Sequence, residues 1–207
     1  MQINSSLDRI LTPTAIALGN FDGIHRGHLE VIKPVLNWED KSTYKTVVTF
    51  DPHPQQYFTE QQRQLLTPHS ERAIILEQLG IDQLILLPFD RELVKLSPSE
   101  FVDRILDRQI QAKFISVGAD FRFGNQRIGA ASDLVTLTEH FQIPTRIAPL
   151  ETDGDSRISS SRIRAALLAA DLQLTRALLG RYYSIVGTVV NGQEIGRSIG
   201  FPTANLK

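Results

Sequence analysis

Residues 14–36, TAIALGNFDGIHRGHLEVIKPVL, decide how this chain folds. Thr14–Leu18 is an apolar run of strand length, Gly19 and Gly23 bound a turn, and a helical pattern opens around His25 and His28. A strand running into Gly19 and Gly23 brings backbone N–H groups close to a ligand. The N-terminus of the following helix adds a partial positive charge that suits an anion. His25 and His28 stand three apart and share one helical face, with no side chain at Gly27 between them to obstruct a close approach. Asn20, Phe21 and Asp22 lie between the two glycines. A histidine pair at this spacing also suits zinc or plain surface residues, but no third histidine, cysteine or H-E-x-x-H lies nearby to complete a metal cage.

At 207 residues the chain is long enough for one ordinary α/β domain and a fragment of something else. Basic and acidic residues number 22 and 23, a net charge of −1, which argues against a dedicated nucleic-acid binder. There are no cysteines, so disulfides, thiolate catalysis and cysteine zinc sites are excluded. With neither a leader pattern nor an apolar run of membrane-spanning length, the sequence reads as soluble, untargeted and cytoplasmic.

Beyond this turn, apolar strand-like runs alternate with amphipathic helical ones. Residues 1–13 read as an irregular lead-in. A helix over 27–37 precedes a β-branched strand, Lys45–Phe50. Asp51-Pro52-His53-Pro54 follows as a rigid loop, because two prolines in four residues fix φ and disfavour helix. It falls at a strand C-terminus, the edge where open α/β sheets bind ligands, so His53 is either a ligand contact or merely exposed. Ser70–Leu79 predicts a helix capped by Ser70 and closed by Gly80. Gln83–Leu87 is a buried strand, and Ser97-Pro98-Ser99-Glu100 starts a helix ending near Arg108. Phe114–Val117 is a fourth strand. After it, Asp120, Phe121 and Phe123 lie in a glycine-flanked loop whose aromatics either present a flat apolar surface or join the core. Ser132–Phe141 reads as a helix and Pro144–Ala148 as a fifth strand.

Ile158-Ser159-Ser160-Ser161-Arg162-Ile163-Arg164 opens a further helix running to about Ala169. One serine is explained by an N-cap. Three hydroxyls with Arg164 one turn inside are better explained by a second phosphate-binding helix start.

H-x-G-H at 25–28 resembles the signature of the nucleotidyltransferase superfamily. GNFDGIHRGH, VTFDPHP, VGADFRFG and ISSSRIR, in this order and spacing over residues 14–180, resemble the N-terminal adenylyltransferase module of bacterial bifunctional riboflavin kinase/FAD synthetases. That resemblance implies a Rossmann-like α/β nucleotidyltransferase fold with a mostly parallel sheet. It also implies transfer of AMP from ATP to FMN, giving FAD and pyrophosphate with Mg²⁺. His25, His28 and Arg164 match its catalytic positions. Gly19, Asn20, Phe21, Asp22, Gly23, Ser159, Ser160 and Ser161 match its ATP positions, Ser161 replacing the usual threonine with its hydroxyl kept. Asp51, Pro52, His53, Pro54, Asp120, Phe121 and Phe123 match the flavin side.

Tyr183–Val190 is strand-like, and GRSIGFPTAN over 196–205 resembles the opening of that family's riboflavin kinase module. There Thr203 and Asn205 help place MgATP when the module is complete. The expected division is therefore a transferase unit over 1–182 and an incomplete kinase β segment over 183–207, without kinase activity. Within enzymes, a related transferase acting on another phosphorylated acceptor is the alternative. In a different class, a non-catalytic flavin- or nucleotide-binding module is the other.

Overall fold

The computed structural model describes residues 1–59, 64–190, 192, 200–201 and 205–206. In chain order the main elements are β1 (Gln2–Asn4), β2 (Thr14–Leu18), α1 (Arg26–Leu36), β3 (Tyr44–Asp51), α2 (Pro54–Thr59), α3 (His69–Leu79) and β4 (Gln83–Pro88). Then come α4 (Arg91–Lys95), a π-helix (Phe101–Gln109), β5 (Ala112–Gly118), α5 (Ala131–Glu139), β6 (Thr145–Ala148), α6 (Ser160–Leu168) and α7 (Leu172–Leu179).

The six strands form one sheet in the order β1-β4-β3-β2-β5-β6, and every pairing in it is parallel. Parallel neighbours need crossovers, so helices cover both faces and the central strands are apolar on both sides. β2 shows this: all five residues are buried. Ile16 and Leu18 face the π-helix residues Val102 and Leu106, while Ala15 and Ala17 face Val31, Ile32 and Val35 of α1. The small alanines leave room for α1 close against the sheet. β2 has β3 on one side and β5 on the other. The chain thus leaves the sheet centre in opposite directions, which opens a crevice at the strand C-termini.

Several local expectations change. The lead-in contains β1, which pairs Gln2–Asn4 with Gln83–Ile85. The side chain of Gln83 fastens the next stretch by bonding both Leu11 N–H and Leu11 C=O. Pro54 does not prevent a helix; it begins α2, where a missing N–H costs nothing. α3 starts one residue early, with Pro68 at the cap and Ser70 inside. In Tyr183–Val190 only Val189–Val190 is a strand, paired antiparallel with Asn205–Leu206. Thr203 and most of 196–205 lie outside the described residues.

Candidate active site

The β2–α1 turn is bent by three successive tight conformations: Phe21 has φ 43°, Gly23 φ 93° and Ile24 φ 38°. Phe21 and Ile24 are 1 % exposed, so their burial in the core beneath the turn offsets a backbone state that bulky residues avoid. The turn ends at His25, which caps α1: its Nδ1 accepts the His28 N–H at 3.2 Å. Accepting at Nδ1 leaves the ring proton on Nε2, so neutral His25 presents a donor there. The His25 and His28 rings stack at 3.6 Å between centroids, and the Phe21 ring meets His28 edge-on at 5.3 Å. A Cβ at position 27 would sit 3.3 Å from the His25 ring, so a larger residue there would press on the imidazole and force it to shift slightly.

Both histidines are held neutral. Burial, then the Arg157 charge, lowers His25 from 6.5 to about 4. Burial and then its neighbour His25 push His28 well below the usual histidine range. The stability consequence has a definite sign. Unfolded His25 binds a proton below pH 6.5 while folded His25 does not until about pH 4. Its contribution is therefore complete above 6.5 and is lost as pH falls through that window, about 3 kcal/mol in all. Urea denaturation at pH 7.5 and pH 4.5 is expected to show this loss in the wild type and a correspondingly smaller one in His25→Gln. Equal losses would contradict the assignment.

Asp22 is 2 % exposed and is the hub of the turn. Its Oδ1 accepts from Leu66 N at 2.8 Å and Thr67 N at 3.2 Å, with the Arg72 guanidinium 3.7 Å away. Its Oδ2 takes a charged bond from Arg164, and its backbone carbonyl accepts from Ser160 Oγ at 2.7 Å. The two glycine- and serine-rich helix starts, remote in sequence, are thereby bolted together. Ser159 caps α6 by accepting Arg162 N–H at 3.2 Å. Arg164 also donates to Gln64 C=O and keeps one buried nitrogen without a hydrogen-bond partner.

These elements enclose a cavity of about 810 Å³ at the C-terminal edge of the sheet, a volume suited to a nucleotide-sized ligand. Of the positions singled out in the sequence, Gly19, Asn20, Phe21, Asp22, His25, His28, Ser159, Ser160 and Ser161 line one wall. His53, Pro54, Asp120, Phe121 and Phe123 line it elsewhere. His53 also accepts the Gln55 N–H at 3.1 Å, capping α2. Phe123 is a core residue, 4 % exposed, and Phe121 stacks on it at 5.7 Å while remaining half-exposed. The remaining positions stand behind the lining: Gly23 N–H bonds Thr67 Oγ1, Asp51 bonds His69 at 3.2 Å beside Pro52, and Arg164 faces Asp22.

The structure adds residues that sequence reading passed over. Arg157 lines the cavity and pairs with Asp120, which lines it too. It directly precedes the serine motif, and that adjacency was the available signal. Phe58 and Phe89 line an aromatic wall with Phe50, their rings 5.7–5.9 Å from Phe89. Buried Arg72 carries no sequence signal at all, standing as an ordinary charge in a helical pattern.

Residues 7–162 match the family model described as FAD synthetase. The chain belongs to the FAD synthetase family. A second model, riboflavin kinase, matches residues 179–207 of this FAD synthetase-family chain. The bifunctional riboflavin kinase/FMN adenylyltransferase of Haemophilus influenzae is 34% identical over 202 residues, covering 97% of this chain and 66% of that protein. The protein of the same description from Escherichia coli K12 is 35% identical over 193 residues, covering 92% and 62%. The chain thus spans a little under two thirds of the length of these relatives. A crystal structure described as a macrolide-efflux protein from Streptococcus pneumoniae superposes with a TM-score of 0.83 at 31% identity, covering 99% of this chain and 68% of that one. Among the described residues, no helix is long and apolar enough to cross a membrane.

Proposed function

We propose that residues 1–182 of this FAD synthetase-family chain catalyse transfer of AMP from ATP to FMN, and that 183–207 begin a riboflavin kinase segment. The observation that carries this reading is the joining of the starts of α1 and α6 through Asp22, at one cavity that is also lined by aromatic side chains. A flat acceptor fits the aromatic side and a polyphosphate the helix side.

In this reading an FMN phosphate oxygen attacks the α-phosphorus in line and pyrophosphate leaves. An anionic phosphate needs no general base, so the protein contributes position and charge stabilisation. His25 and His28 donate to the reacting phosphate. Ser159, Ser160 and Ser161, with the N-terminus of α6, hold the β/γ end, and Arg164 supports that helix start from behind the lining through Asp22. Among the described residues no three His, Cys, Asp or Glu converge as a metal cage. Magnesium carried with the ATP substrate would offset the phosphate charge. The proposed setting is the cytoplasm.

Incubation with MgATP and FMN is expected to give equimolar FAD and pyrophosphate, and FAD with pyrophosphate is expected to regenerate ATP, both followed by chromatography. Adenylylation of a different phosphorylated acceptor, with FMN untouched, would overturn the flavin assignment. Release of no pyrophosphate from any acceptor would overturn transferase function.

A further inference from the structure

Gly23 and Ile24 deliver the chain to His25 with both residues at positive φ. Their carbonyls, left outside any helix or strand ladder, converge on one side chain from far along the sequence. Arg181 Nη1 donates to Ile24 C=O at 2.9 Å and Nη2 to Gly23 C=O at 2.8 Å. A planar guanidinium can feed two consecutive carbonyls at once, whereas a lysine offers a single point charge. Arg181 is half-buried and does not line the cavity.

Its place in the chain makes this contact informative. Arg181 lies beyond the FAD synthetase match, which ends at 162, and inside the riboflavin kinase match, which begins at 179. Its neighbours are tied to the same region. The Arg176 guanidinium lies 4.3 Å over the Tyr182 ring, and Tyr183 packs on a cluster containing Leu66, Ile158 and Leu178. Val186 N–H donates to Glu71 at 3.3 Å, next to Arg72, the ion-pair partner of Asp22. The stretch where the two segments meet therefore grips the histidine turn directly at 23–24 and again through α3.

We infer that Arg181 is a positioning residue for the transferase site: by fixing the Gly23 and Ile24 peptides it sets the placement of His25 and, through the stacked pair, of His28. The catalytic turn is then sensitive to whatever displaces the residues around 181–186, where the two segments meet, although none of them contributes a group to the chemistry. The kinetic consequence rests on the adenylyl-transfer reading, while the structural consequence does not.

The test uses the whole 207-residue chain with Arg181→Met, which keeps an apolar stem and removes the fork, and Arg181→Lys. Amide hydrogen exchange over residues 19–28 is expected to accelerate roughly tenfold or more in Arg181→Met, with the strands of the central sheet as protected as in the wild type. In turnover with MgATP and FMN, kcat is expected to fall roughly tenfold to a hundredfold with KM for FMN within about twofold. Arg181→Lys should recover little of this, and millimolar guanidinium should restore part of it in Arg181→Met alone. Unchanged exchange at 19–28, or a uniform loss of protection across the sheet, would overturn the inference. A wild type that releases no pyrophosphate would instead fail the functional reading, and the exchange measurement would still decide the role of Arg181.

Discussion

Replacing His28 by alanine is expected to lower kcat for FAD formation roughly 10²–10³-fold, the scale of losing one preorganised donor to a developing charge. The ring is fixed before substrate arrives. It is stacked on His25 at 3.6 Å, met edge-on by Phe21, and held neutral by burial. A donor so fixed does not reorganise during the reaction, so its value falls on the transition state more than on ground-state binding. KM for ATP should accordingly move far less than kcat. Steady-state kinetics of pyrophosphate release decide the point, and a His28→Ala variant with unchanged turnover would remove His28 from the chemistry.

Asp22→Ala is expected to destabilise the fold by about 3–5 kcal/mol, the range for stripping one partner from a buried ion pair. Arg72 is 2 % exposed and would be left with a desolvated charge, while the amides of Leu66 and Thr67 would lose their acceptor. Asp22→Asn retains an oxygen for those amides and should lose less. Urea titrations of the three proteins measure both effects. A loss below about 1 kcal/mol in Asp22→Ala would mean that water or Thr67 takes over the arginine.

What could be read without coordinates was whatever announces itself locally. The β2–α1 unit was legible because an apolar run, a glycine turn and a helical period follow one another without ambiguity. The buried strands Gln83–Pro88 and Ala112–Gly118 were legible from their continuous apolar stretches. β1 was not, since three residues reading QIN have neither alternation nor length, and their strand character comes from pairing with β4. The π-helical turn at Phe101–Gln109 was invisible because its hydrophobic spacing satisfies an ordinary helical pattern. In the site, motif residues were readable as candidates, but Arg72 and Arg181 were not. Both owe their importance to long-range partners, and a charged residue in an amphipathic helix or after a glycine looks the same whether it faces water or a buried carbonyl.

The bonds that join the starts of α1 and α6 reach across 142 residues from Arg164 to Asp22 and 138 from Ser160 to the same residue. On a ribosome adding about 5–20 residues per second, that separation is roughly 7–30 s of synthesis. For that interval Asp22 can be neutralised by Arg72, which emerges only fifty positions behind it, but the serine-bearing helix does not yet exist. The serine-bearing wall of the cavity is consequently completed well after the first strands of the sheet. A nascent chain can pair its first strands and bury their apolar faces long before that wall can close.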